Sequence, residues 1–426
     1  MMHSDVLKRW IYTIICGILL FSLIFLRSWH LLGPISWRNF AAIILFTQAF
    51  IFCPKTHFND NCINTYIVWL FVYIFVNIIT GYIETEHVYK NLIGYHMVSL
   101  MLLFALPRIV TSPRQLRVII IWFSIFYIIN ALTTIFQFLN NPIAWDLGNF
   151  ISPMNAEKAE RMESLASSSD TMLTYSICCG LNGFVVTNGQ FIACFAPLAT
   201  YLAMSSKLVD KVIATLVMIC ILVTSICVQQ RMCFFITLLF SLVFLYYLFG
   251  SVQKMLPFLL IGFIGGFYVF DDINLEAFGR LFDLTDDHRM HTGEYLSMFL
   301  SSPEYVLFGH CTIDDIDNNE MFLTMGHNSL LDSLRRGGII CFLIYIYLGI
   351  LILKKSYQIF KYSMKNRNII TVCLCTAVVL NLCYSLTHSD GIPSGSVFFW
   401  GAYALMMTSY NIDRHNQMYA NYVKSI

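Results

Sequence analysis

The stretch Arg335-Arg336-Gly337-Gly338-IICFLIYIYLGILIL-Lys354-Lys355 decides the fold class. Between an arginine pair and a lysine pair lie seventeen uncharged residues, of which Gly338–Leu353 form the expected span, nearly all large and apolar. A bilayer asks for roughly 20 mostly apolar residues per spanning helix. In lipid only a helix or a closed barrel satisfies its own backbone polar groups. The run reads as a transmembrane helix. Comparable runs occur near Trp10–Leu26, Phe40–Cys53, Ile63–Ile83, Asn91–Val110 and Val118–Leu139. They continue near Ile177–Met204, Val212–Val228, Cys233–Gly250, Leu256–Phe270, Asn368–Leu386 and Ser396–Tyr410. The expected fold is all-α: a polytopic transmembrane helix bundle of about 12 spans, forming one transmembrane domain over residues 1–426.

Composition agrees. Hydrophobic residues make up 58% of the chain and charged residues 12%, where soluble domains carry about 25% charge. Fourteen cysteines invite a disulfide reading, but Cys16, Cys220, Cys227, Cys233, Cys373 and Cys375 lie inside apolar runs. There a thiol behaves as a small hydrophobe, and no disulfide framework is expected. Lys8 and Arg9 precede an apolar run that no small-residue cleavage pattern follows, so a retained first helix is expected.

Lysine and arginine gather in cytoplasmic loops, which orients the helices. With the N-terminus inside, the segments at Lys55, Arg108–Arg117, Lys207–Lys211, Lys254, Lys354–Arg367 and the C-terminal tail are cytoplasmic. That side then holds 16 of 26 basic and 4 of 25 acidic residues, a split of +12 against −11. Both termini are expected inside. Two polar stretches of any size face outward: 140–176 and 271–337. The second mixes carboxylates, histidines and arginines with short apolar runs such as Tyr295–Leu300, which suggest short helices on the membrane face. No internal repeat or glycine-rich phosphate loop is evident, and nothing suggests nucleic acid.

Chemistry concentrates in Gly326-His327-Asn328-SLLDSL-Arg335-Arg336-Gly337-Gly338, which runs into the span just quoted. If the stretch is helical, His327, Leu331 and Arg335 share a face at spacings of four. Histidine is the side chain whose unperturbed pKa allows proton abstraction near neutrality. A helix cap with a satisfied polar histidine is the plainer alternative. Arg231, in the tight outer turn Gln229-Gln230-Arg231, has no acidic residue within ten positions. An arginine at that depth is a functional hypothesis by default, and its planar fork suits phosphate oxygens. Snorkelling to the interface is the competing account.

Three further groups are weaker. His288, His291 and Glu294 fall three apart and could present metal ligands, although the familiar zinc signature spaces its histidines by four. Arg280 and Arg289 could instead add positive charge for an anionic substrate. Asp314-Asp315-Ile316-Asp317 resembles metal-holding acidic pairs but reads more simply as a solvated loop. Asn182, Asn188 and Gln190, with Pro197, interrupt the sixth span. Polar groups there must face protein or a wet cavity, so that helix is expected to line the site.

Taken together, these motifs resemble the O-antigen polymerase and O-antigen ligase family of bacterial inner-membrane glycosyltransferases. The family's signature is a His-Asn pair, then leucines, then a glycine eleven residues past the histidine, matched here by His327-Asn328, Leu331, Leu334 and Gly338. Cys341 stands where a small or polar residue usually follows, a departure from the pattern. Arg231 matches the family's arginine in a short outer turn. Arg289, Pro303 and Gly309 match its arginine, amphipathic stretch, proline and glycine, and Val186-Thr187-Asn188-Gly189-Gln190 its polar interruption.

The resemblance implies a glycan donor on undecaprenyl pyrophosphate and a lipid-linked glycan acceptor. It implies His327 as general base, Arg231 and Arg289 on the diphosphate, and no metal or other cofactor. Arg280, Asn328, Arg335, Arg336, Asn188 and Arg161 are the further substrate-binding candidates. The bilayer, and a chain-length regulator protein, are the other implied partners, and the bacterial inner membrane the implied location. Polymerase and ligase differ mainly in acceptor, and two sizeable outer loops favour the polymerase. A polysaccharide or lipid-linked glycan transporter is the alternative from another class. Transporters usually show related halves and a midplane site on broken helices, whereas here the polarity gathers in one outer loop.

Overall fold

The computed structural model describes residues 2–32, 35–52, 60–80, 92–139, 141–152, 180–181, 185–228, 231–249, 251, 253–257, 260, 292–309, 328–386, 392–393 and 395–425. These are almost wholly helical. In chain order they form α1 (Met2–Phe25), a small antiparallel hairpin of β1 (His30–Leu32) and β2 (Ile35–Ser36), α2 (Trp37–Phe52) and α3 (Asn61–Thr80). A π-helical turn, Leu92–Met97, leads into α4 (Val98–Ile109), followed by α5 (Pro113–Phe138), α6 (Pro142–Ile151) and α7 (Val185–Ala203). Next come α8 (Leu208–Val228), α9 (Arg231–Phe249), α10 (Thr292–Ser301) and α11 (Pro303–Phe308). The chain ends with α12 (Ser329–Lys365), α13 (Ile369–Ser385) and α14 (Val397–Ser425).

A helix lies in every stretch expected to span except Leu256–Phe270, most of which falls outside the described residues. Among the described residues four helices are long and apolar enough to cross a membrane: Asn61–Thr80, Pro113–Phe138, Leu208–Ser225 and Ser329–Lys365. Thr13–Phe25, Trp37–Ile51, Gly94–Ile109, Gly189–Ala203 and Ile369–Ser385 are shorter apolar helices.

The packing is inside-out. Helix α3 buries Tyr66, Trp69, Tyr73 and Asn77 and exposes Val68, Phe71, Phe75, Ile78 and Ile79. Helix α12 buries Ser329, Asp332, Ser333, Arg335, Ser356 and Ser363 while Ile340, Leu343, Tyr347 and Ile350 stay exposed along one face. Water rarely tolerates an apolar face of that extent, whereas lipid does. These apolar helices belong in a bilayer.

Contacts divide the chain into two compact units. The first unit, Met1–Trp29 with Arg117–Leu284, holds α1 and α5 to α9. Phe21 and Phe25 of α1 pack on Phe126 of α5, and Trp122 donates its indole N–H to the Thr13 carbonyl at 2.9 Å. Arg117 pairs with Asp210 at 2.5 Å, and Ser205 donates to the same carboxylate at 2.7 Å. Arg117 and the turn at Lys207–Lys211, both assigned to one side by charge, thus meet at one end of this unit.

The sixth expected span starts later than its apolar run. Gly180-Leu181 form a turn with Gly180 at φ +61°, and α7 begins only at Val185. The amides of α5 hold that turn: Gln137 Oε1 accepts from Gly180 N–H at 2.8 Å and Asn130 Oδ1 from Leu181 N–H at 2.8 Å. Non-helical backbone at this depth survives only when protein satisfies it. Gln190, on α7, is buried as expected.

In the second unit, His30–Leu116 with Thr285–Ile426, α2 packs on α4, α4 on α14, α14 on α13, α13 on α12 and α12 on α3. At one end Asp60 caps α3 through Cys62 N–H at 2.9 Å, accepts from Tyr403 at 2.9 Å and lies 3.9 Å from Lys355 Nζ. At the same end Tyr362 donates to Gln417 at 2.6 Å. At the opposite end Asn77 donates to the Arg336 carbonyl, Ser329 to Ser385 and Ser99 to the Gly395 carbonyl. The lysine-rich segment Lys354–Arg367, which ends α12, and the start of α12 therefore occupy opposite ends of the unit.

Candidate functional site

The signature stretch is not one continuous helix. Asn328 caps α12, its side-chain oxygen accepting from Leu330 N–H at 2.9 Å. A short helix covers Ser329–Arg336, then the backbone breaks at Gly337 (φ −154°, ψ 24°) and Gly338 (φ 66°, ψ −164°) before the long span resumes. The helical face expected through positions 327, 331 and 335 therefore holds for Leu331 and Arg335 and stops at the cap; His327 lies outside the described residues.

A second stretch of the resemblance seats on this break. Gly309, the C-cap of α11, takes φ 78° and ψ 176°, a region essentially open only to glycine. A Cβ added there would collide with the Arg335 carbonyl oxygen and fall 2.8 Å from Gly337 N and 2.9 Å from Gly338 N. A Cβ at Gly338 would in turn collide with the Leu307 carbonyl. Two backbones touch where neither side has room for a side chain. Behind them Phe299 and Leu334 are buried together, with Leu296, Tyr305, Leu331 and Phe342 packed around. The short helices expected near Tyr295–Leu300 are α10 and α11. Their other face leaves Leu300, Leu307 and Phe308 exposed.

The charge in the short helix is organised by a residue the sequence reading passed over. Asp332 is 1% exposed and accepts from Arg335 Nη2 at 2.7 Å and from Arg336 Nε at 2.8 Å. Both arginines, expected as substrate ligands, are held by one carboxylate, which leaves the trio a net positive charge of one. Charge-assisted hydrogen bonds of this kind contribute about 1.5–3 kcal/mol each.

Helix α3 secures the break from the other side. Trp69 donates its indole N–H to Ser333 Oγ and to the Cys341 carbonyl, both at 3.1 Å, bridging the short helix and the span. Asn77 Nδ2 donates to the Arg336 carbonyl at 2.6 Å, an acceptor the break leaves without its helical partner. Ser329 meets Tyr345 at 2.8 Å and donates to Ser385 at 3.1 Å. Tyr66, Trp69, Tyr73 and Asn77 recur at helical spacing along α3. That stripe of polar and aromatic residues inside an apolar span was the available sequence signal.

No protein-family model and no curated protein matches this chain. Of the remaining candidates, Arg231 opens α9 and Asn188 lies in the first turn of α7, both in the first unit. Arg161, Arg280, Arg289, His288, His291 and the acidic run Asp314–Asp317 lie outside the described residues. Asn328, Arg335 and Arg336 are the candidates brought together around the break.

Proposed function

We propose that this chain is an O-antigen polymerase, joining undecaprenyl-pyrophosphate-linked oligosaccharide repeat units at the periplasmic face of a bacterial inner membrane. The observation that supports it best is the seat of Gly309 on the Gly337-Gly338 break. The two stretches that the resemblance pairs, Arg289–Gly309 and His327–Gly338, end against one another. The polar, basic short helix beside that contact continues into an apolar span, an arrangement suited to a substrate with a water-borne sugar and a lipid-borne tail.

In this reading the acceptor hydroxyl oxygen attacks the donor's anomeric carbon while the bond from that carbon to the diphosphate oxygen breaks. The electron pair leaves with undecaprenyl pyrophosphate, the proton passes to His327, and the anomeric configuration inverts. Arg231 and Arg289 hold the diphosphate and stabilise its developing charge, with Arg280, Arg161 and Asn188 assisting. Asn328, Arg335 and Arg336 shape the acceptor side, the arginines fixed in place by Asp332. A leaving group this good needs no metal when enough cationic donors converge. About twelve spans, with both termini inside, complete the arrangement.

The test is reconstitution of the full chain in liposomes with undecaprenyl-pyrophosphate-linked repeat units alone. Products should lengthen by whole repeats, release one undecaprenyl pyrophosphate per bond, and form equally well in chelator. Bond formation only after lipid A core is added would mean ligase. Strict dependence on a divalent ion would instead favour a metal site at His288, His291 and Glu294.

A further inference from the structure

We infer that His96 is a positioning residue for the glycine break, acting through Trp69. His96 lies in the π-helical turn Leu92–Met97 and is 1% exposed. Such turns are rare and are found frequently at functional sites. Tyr66, Trp69 and Tyr73 surround the imidazole with ring centroids at 6.0, 5.9 and 6.2 Å. Nδ1 lies 2.7 Å from the Tyr66 hydroxyl, and Nε2 has no hydrogen-bond partner among the described residues. One hydrogen bond, between the Tyr66 hydroxyl and Nδ1, therefore sets the ring's rotation.

The neighbour with most at stake is Trp69. Its ring packs between Tyr66 and Tyr73, stacked at 6.5 and 5.5 Å, and its N–H reaches Ser333 and Cys341 on either side of the break. An indole whose one N–H is shared between Ser333 and the Cys341 carbonyl holds the short helix against the span. His96 fills the space beside that indole, and the Gly395 backbone closes it from the far side, where an added Cβ would fall 2.9 Å from His96 Nδ1. A histidine inside an apolar helix thus has a specific task, separate from proton transfer at His327.

Cys341 is buried at the break and reports its integrity. The experiment measures N-ethylmaleimide labelling of Cys341 by site-resolved mass spectrometry in the full-length protein, with buried Cys373 and Cys375 as internal references. His96→Phe, Tyr66→Phe and Trp69→Phe should each raise Cys341 labelling by about tenfold, the effect of one buried hydrogen bond on a local opening equilibrium. His96→Asn keeps a hydrogen-bonding side chain for Tyr66 and should label as slowly as the native protein. Unchanged Cys341 labelling in the Phe variants would overturn the inference, as would an Asn variant that labels like Phe. An equal rise at Cys373 and Cys375 would also overturn it, by making His96 a general packing residue. A second arm, resting on the polymerase reading, follows glycan length: the Phe variants should shorten chains and His96→Asn should not. A loosened break with no change in glycan would refute that reading and leave the role of His96 standing.

Discussion

Asp332 sits between two guanidiniums on the last turns before the break, and most of the site's electrostatics follow from it. Three charges in a nearly closed space are stable together and unstable apart, because removing one partner leaves the others buried and uncompensated. Asp332→Asn should lower stability by about 3–5 kcal/mol, read as a clear fall in the melting temperature of the detergent-solubilised protein. An unchanged melting temperature would mean that the arginines do not depend on Asp332. Arg335 and Arg336 were readable in sequence as a basic pair at a membrane boundary, but their shared carboxylate was not. Asp332 is three and four residues away on a turn whose helical state the sequence alone left conditional.

Elements carry the next level of information. The apolar runs marked where helices lie because lipid demands continuous apolar length, and α3, α5, α8 and α12 follow from that directly. The break in α12 did not follow, since a Gly-Gly pair inside a hydrophobic helix is compatible with an unbroken helix too. What decides it is tertiary: Gly309 occupies the space that an intact turn would need, and Asn77 and Trp69 accept the consequences. His96 falls within the fourth expected span, and its aromatic surroundings on α3 make it a core residue. Gly338→Ala should cost about 1–3 kcal/mol for conformation alone, with backbone overlap in addition. Gly349→Ala, eleven residues on in the same helix with open space around it, should be neutral or stabilising by up to about 1 kcal/mol. Equal melting temperatures for the two variants would contradict the break as described.

At the scale of the whole molecule, the charge split and the helix ends agree. In the second unit the lysine-rich C-terminal part of α12 and the signature at its start lie at opposite ends, as one membrane crossing requires. Reporter fusions at Lys361 and Asp315 should report cytoplasm and periplasm respectively; both on one side would overturn the orientation. The catalytic claim rests on His327, which immediately precedes the cap Asn328. The most direct measurement is the glycan profile of cells that carry His327→Ala in place of the native chain. The protein should insert at native abundance and lose roughly 10²–10⁴ in rate, leaving lipid core capped with a single repeat unit and no ladder of longer chains. Bare core with long chains stranded on the lipid carrier would mean ligase, and a normal ladder from a well-expressed variant would contradict the account.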